Sequence, residues 1–410
     1  MQKKLIALAV AGLVAAPAFA QSNVTIGGYL SLSYKNYKMG DINRAAAGLG
    51  GRGAAAVGFN AENRLDDDWN SRFWLTGSED IGGGNKAVFR IEQRLNLDMG
   101  ANGTGNGFAA GESYLGLQTK DFGLFTFGRR HVYFTEGIMW DAVWAQSTSN
   151  FTGYGPLTQF VNGAQQNLLT RTNNLITWQS PVWNGFKARL DYSFAPLGNE
   201  GAYNPANSKY NEGSLWGTTL NYDNGPLSVF FSYFDSKVEG RTPFFAALSP
   251  IGAGAASSYG QAAVNDTHGY KVGAKYMLPL GSGKLQLAGI IDRSTMENVG
   301  ATAATAVDWK RTSWSLPIKY LVGPHTISFT WTQAGKTSNV ADSKAKMFNL
   351  GYQYALSKRT YVGANWAQVK NDDGAAYQVP LAFNTQTLSG AALTYGEKAR
   401  VLSVTLAHMF

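Results

Sequence analysis

A closed all-β ring of sixteen antiparallel strands crossing a membrane is the fold this sequence predicts, and three observations carry that expectation. Ala399–Phe410 alternates without a break: Leu402, Val404, Leu406, His408 and Phe410 point one way, Val401, Ser403, Thr405 and Ala407 the other. Connections between segments of this kind sort into seven short and eight long, and fifteen connections join sixteen strands. No stretch approaches about 18 consecutive apolar residues, so no helical span is available. An even strand count, with short turns on one side and long loops on the other, is the pattern of a transmembrane barrel. A soluble sandwich has no reason to sort its connections in that way.

The elements follow in order. Residues 1–20 carry Lys3 and Lys4, an apolar run Leu5–Ala16 and then Ala18-Phe19-Ala20, the layout of a secretory signal. The run is too short to anchor in a bilayer. Gln21 is therefore the expected mature start, with one domain over 21–410. The first strand is expected at Val24–Tyr34. Short turns are expected at Glu79–Asn85, Lys120–Gly123, Gln179–Gly185, Asp223–Pro226, Pro279–Gly283, Leu321–Pro324 and Leu356–Lys358. Long gaps fall at about 35–69, 98–111, 131–170, 195–213, 235–267, 293–308, 335–345 and 371–398. Between them, Phe186, Ala188, Leu190 and Tyr192 alternate with Lys187, Arg189 and Asp191, and Tyr270, Val272 and Ala274 with Lys271 and Lys275. A charge facing lipid near mid-bilayer costs roughly 2–4 kcal/mol, so the charged face must be the lumen. Sixteen strands leave room for water inside, where about eight would be filled by side chains. The terminal strand then pairs with its predecessor on one edge and Val24–Tyr34 on the other, because an open edge cannot face lipid.

Composition agrees and excludes alternatives. The chain has 48 glycines, 13% aromatic residues and no cysteine, which removes disulfides and thiolate metal sites. Its net charge of +8 falls to +6 when Lys3 and Lys4 leave, a lean towards anions and not a nucleic-acid footprint. The histidines, His131, His268, His325 and His408, sit in no catalytic arrangement, and no hydrolase, metalloprotease or phosphate-loop motif occurs. We expect no enzyme, no metal and no cofactor.

Two longer motifs are more specific. One is Ser71-Arg72-Phe73-Trp74-Leu75-Thr76-Gly77-Ser78-Glu79-Asp80-Ile81-Gly82-Gly83-Gly84-Asn85-Lys86-Ala87. The other joins Tyr114-Leu-Gly-Leu, Asp121-Phe-Gly and Phe127-Gly-Arg129 ahead of a long third loop. With Arg171-Thr-Asn173-Asn174, Ser180-Pro181, Gly185-Phe186 and the terminal Phe410, the sequence resembles the Gram-negative general porins of neisserial and burkholderial type. The resemblance implies a trimer of sixteen-stranded barrels in the outer membrane. It also implies a third loop folded inward, and a terminal aromatic read by the barrel-assembly machinery. The chain departs from the pattern at Arg130-His131 and in a tryptophan-rich third loop.

Parity places Arg72, Arg90, Arg94, Arg171, Lys187, Arg189, Lys271, Lys275, Arg311 and Lys319 on the lumen face, with Glu92 and Asp191 as inward acids. Basic rings in a narrow pore favour anions. Arg72 and Arg171 match basic wall positions of the resembled family, and Arg94 and Arg130 complete the expected constriction, with Arg90, Lys187 and Arg189 as further lumen cations. Glu136 and Asp141 of the third loop would set an acidic side against that wall. Trp140 and Trp144, in the same loop, either offer a stacking surface or pack the loop on the wall. The function expected is passive diffusion of small hydrophilic solutes through the outer membrane, with anions preferred. A channel specific for sugars or for organic or aromatic acids, and a surface adhesin, are the alternatives.

Overall fold

The computed structural model describes residues 23–40, 62–67, 71–98, 101–102, 108–133, 136–137, 140, 171–196, 203–204, 209–210, 213–237, 266–299, 307–375, 396 and 398–410. Among them are sixteen long strands joined into one antiparallel ring. In chain order these are β1 (Asn23–Gly40), β2 (Arg72–Gly82), β3 (Asn85–Asn96), β4 (Ser113–Thr119), β5 (Gly123–Arg130), β6 (Thr172–Gln179), β7 (Phe186–Ser193) and β8 (Ser214–Asn224). They continue as β9 (Leu227–Lys237), β10 (Thr267–Leu280), β11 (Gly283–Val299), β12 (Val307–Val322), β13 (His325–Ala334), β14 (Ala345–Ala355), β15 (Thr360–Asn371) and β16 (Lys398–Met409). Each pairs with its neighbour in sequence, and β1 pairs with both β2 and β16. That double pairing leaves no edge.

All seven expected short turns join consecutive strands. Gly281 and Gly323 take positive φ (56° and 54°) in two of them, the left-handed backbone that tight hairpins require. The strands run further on the other side. Glu62–Asp67 pairs with Leu32–Tyr37, so the expected gap 35–69 contains strand, and β1 extends to Gly40. β11 likewise runs to Val299, where a loop from 293 was expected. These extensions are polar, because strand beyond the bilayer no longer needs an apolar face, and alternation loses its contrast there. Residues 1–22, where the secretory signal was read, lie outside the described residues.

The terminal strand behaves as its alternation requires. Leu402, Val404 and Leu406 are 53%, 57% and 55% exposed, whereas Val401, Ser403, Thr405 and Ala407 are buried. Apolar side chains that are exposed face lipid, so the buried set faces the lumen. Outward aromatics gather at both ends of the strands: Phe186 on Tyr222 (4.4 Å) near the short turns, Trp216 on Tyr233 (4.8 Å) near the long connections. Two such levels are the interfacial girdles of a membrane barrel. Inside, hydroxyls meet across the ladder as Ser33–Thr405 (2.6 Å), Thr219–Ser232 (2.8 Å) and Ser315–Thr332 (2.9 Å).

Closure is completed by the last residue. Gly28 N–H donates to the Phe410 carbonyl and Phe410 N–H to the Gly28 carbonyl, each at 3.1 Å. The Phe410 ring fills the space over Gly28, where an added Cβ would sit 2.0 Å from Cζ. Gly28→Leu should expel that ring and lower the temperature at which the folded barrel converts to its slower-migrating unfolded form on a gel. Gly289→Ala, whose Cβ meets nothing nearer than 3.7 Å, should leave that temperature unchanged. Equal behaviour of the two variants would remove Phe410 packing from the closure.

Candidate functional site

Register brings together what alternation could not. Arg72 on β2 lies directly opposite Arg94 on β3, and Glu92 follows two residues along on the same inward face. Glu92 is almost fully buried and sits at the centre of three guanidinium groups: Arg90 Nη2 at 2.7 Å, Arg94 Nε at 2.9 Å and Arg72 Nη1 at 3.7 Å. A second carboxylate, Glu112, stands just ahead of β4. It meets His131 Nδ1 at 3.2 Å, Arg130 Nε at 3.7 Å and Arg90 Nε at 3.8 Å. Arg171, just ahead of β6, is buried beside Arg72, Arg94 and Glu92. The four expected wall arginines, Arg72, Arg94, Arg130 and Arg171, therefore share one cluster, with Arg90 as a fifth member.

Like charges this close need fixed counter-charges, and the two glutamates provide them. Burial alone would raise the Glu112 carboxyl, but His131 and then Arg130 hold it well below the usual carboxylate range. Burial pushes the Arg171 guanidinium down to about 10, which leaves it a cation at neutral pH. Two aromatic faces complete the support: Arg90 lies 4.8 Å over the Trp74 ring and Arg130 4.7 Å over Tyr114. Five arginines against two carboxylates leave a surplus of three positive charges on this wall. Alternation does not reach Glu112, because it falls at the boundary of a gap, where parity has no meaning. Parity places Glu92 on the inward face, and register adds that it faces three arginines at once.

The other lumen residues are placed differently. Arg189 pairs with Asp191 at 2.9 Å and also donates to the His131 carbonyl. Lys187 is half-buried on the same inward face. Of the long connection 131–170, His131 stands between Glu112 and β7, and the other described residues lie on the inner faces of β8–β11. Val132 fits over Gly217, and Tyr133 stacks on Phe234 at 4.6 Å while its hydroxyl donates to Asp292. Lys271 Nζ donates to the Tyr133 carbonyl at 2.7 Å and stands 4.2 Å over its ring. Trp140 packs on Phe230 at 5.0 Å, and its carbonyl accepts from Gln286 at 2.8 Å. These contacts hold Trp140 against the inner wall. Glu136 lies among Arg189, Lys271, Asp191 and Lys187; burial, opposed by Arg189 and Lys271, raises its carboxyl. Asp141 and Trp144 lie outside the described residues. No group of three or more His, Cys, Asp or Glu among the described residues could hold a metal.

A closed antiparallel ring, apolar outside and charged inside, defines a membrane-spanning diffusion channel. The sequence model of the Gram-negative porin family matches residues 7–374. The chain is 28% identical over 416 aligned positions to outer membrane porin protein 32 of Delftia acidovorans, covering all of both chains. It is 25% identical to the major outer membrane protein P.IA of Neisseria meningitidis serogroup A, covering 91% of this chain and 95% of that one. Among solved structures, the fold is similar to an anion-selective porin from Comamonas acidovorans, with a TM-score of 0.68 and 24% identity, covering 95% of this chain and 100% of that one. The chain belongs to the Gram-negative porin family, and is a passive outer-membrane channel, not an enzyme.

Glu92→Gln should act twice. It removes a buried counter-charge, which should cost about 3 kcal/mol in barrel stability, read as a lowered thermal transition. It also raises the wall surplus from three to four, which should shift the reversal potential further towards anions. A variant with unchanged melting would mean that Glu92 does not hold the arginines together.

Proposed function

We propose that this porin is a general diffusion channel for small hydrophilic solutes with a preference for anions, and that the Arg72, Arg90, Arg94, Arg130 and Arg171 wall sets that preference. The observation that supports the reading is the surplus of three cations held on one inner wall. At about 8 Å in water each charge contributes about 0.5 kcal/mol to a passing ion. Screening at physiological salt reduces the total to about 0.5 kcal/mol. Anions gain what cations lose, so the difference is about 1 kcal/mol, or roughly fivefold in permeability. The anion-selective porin from Comamonas acidovorans, a fold relative, points the same way.

We infer that the third connection, whose start is anchored by Tyr133 and Trp140, narrows the channel. Asp141 and Glu136 supply its acidic side. The chain is exported by residues 1–20, cleaved after Ala20, and matures as 21–410. It assembles as a homotrimer among outer-membrane lipids, and the strand ending in Phe410 is what the barrel-assembly machinery reads.

Conductance and reversal potential in planar bilayers under a salt gradient test the central claim. Replacing Arg72, Arg94 and Arg171 together by Ala cancels the surplus, so the anion-to-cation permeability ratio should fall from several-fold to near one. A ratio that stays put would remove these residues from the selectivity wall. Acidification provides a second test. The raised carboxyl of Glu136 gains its proton above the usual carboxylate range, which deletes a negative charge from the lumen. Anion preference should therefore rise as pH falls, and Glu136→Gln should show the low-pH value at neutral pH.

A further inference from the structure

His131 sits among the arginines of the inner wall and is a group of the opposite kind. It follows β5 directly and is fixed at three atoms. Its backbone N–H donates to Glu112 Oε1 at 3.3 Å, its ring Nδ1 meets the same oxygen at 3.2 Å, and its carbonyl accepts from Arg189. The ring nitrogen that faces a carboxylate is the one that carries the proton, so Glu112 fixes the tautomer and leaves Nε2 its lone pair. Nε2 has no protein partner among the described residues, and a fifth of the side chain stays open. The two ring nitrogens diverge, so a molecule bonded to Nε2 stands off the carboxylate. Glu112 itself is occupied, with Arg130 at 3.7 Å on Oε1 and Arg90 at 3.8 Å on Oε2. Ring and guanidinium groups thus surround one carboxylate, and Arg90 also keeps a fifth of its side chain open.

The ring is neutral at neutral pH. Burial lowers the His131 imidazolium; Glu112 and Glu92 oppose this and Arg171 adds to it, so the ring titrates below the ordinary histidine range. The other charges around it are Arg130 on β5, Arg90 on β3 and Arg189 on β7, the last paired with Asp191. A neutral acceptor changes what the wall can recognise. Guanidinium groups only donate, so they serve any anion by its charge. A lone pair at Nε2 accepts from an O–H and repels an oxygen that has none, and a polar group left facing the wrong partner costs more than a good bond gains. Hydrogen phosphate and sulfate are tetrahedral dianions of nearly one size that differ by a single proton. The methyl phosphate dianion shares the phosphorus and lacks that proton.

We propose that His131 makes this wall a site for oxyanions that carry a hydroxyl, hydrogen phosphate being the simplest. Guanidinium groups hold the charged oxygens while Nε2 accepts from the P–O–H. This site rests on the arginines acting as the selectivity wall, and it adds a choice among anions that charge alone does not make. Reversal potentials of the full porin in planar bilayers test it, in mildly alkaline solution where hydrogen phosphate, methyl phosphate and sulfate are all dianions. Hydrogen phosphate should be about fivefold more permeant than either of the others, a comparison that needs no variant. His131→Phe keeps a ring and removes both nitrogens, so that ratio should fall to near one. His131→Gln keeps a donor for Glu112 and an acceptor for the solute, so it should retain the preference. Equal permeability of the three dianions through the unmodified porin would overturn the proposal, as would a preference that survives in His131→Phe. Chloride passing no better than potassium would instead overturn the reading of the arginines, so the ion compared tells the two failures apart.

Discussion

Everything in this protein depends on one demand: hydrocarbon offers no partner to a backbone N–H or C=O, so the sheet has no permissible edge. Closure meets that demand when β1 takes β16 on one side and β2 on the other. Gly28 and Phe410 exchange both of their backbone hydrogen bonds at the seam. Closure in turn separates two solvents, and period-two geometry deals successive side chains alternately to each. A chain built in this way can place charge on only one of its faces within the bilayer.

The charged face is where the chemistry is concentrated. Five arginines on adjoining strands would repel one another, and two carboxylates tie them together while leaving a net positive wall. Glu92 is nearly inaccessible and serves the arrangement, whereas the side chains of Arg72 and Arg90 keep about a fifth of their surface open. The charges that tie the wall together and those left partly open are thus divided within one cluster. His131 links that cluster to the loop anchor, since its carbonyl accepts from Arg189 and its ring meets Glu112.

Most of the fold was legible because lipid enforces contrast. Leu402, Val404 and Leu406 had to be apolar, and the turns had to be short where nothing needed to project. Contrast fades outside the bilayer, which is why Glu62–Asp67 read as loop and β11 read too short. Parity also assigned faces correctly for Lys271, Arg311 and Asp191, all buried inward. It could not assign height: nothing in alternation says that Arg72 stands opposite Arg94, since register comes from the Gly-rich turn between β2 and β3. Glu112 and His131 sit beside strands and not within them, so only the folded chain could bring them to the arginines.

The paired hydroxyls of the inner wall have a consequence of their own. Ser33 with Thr405, Thr219 with Ser232, and Ser315 with Thr332 are rotors, each able to give or to take a proton in its hydrogen bond. All six residues are buried, so the hydroxyls satisfy one another across the ladder. Pairs that complete themselves in this way join neighbouring strands from within, so the polar inner face adds to the cohesion of the ring that the backbone ladder closes.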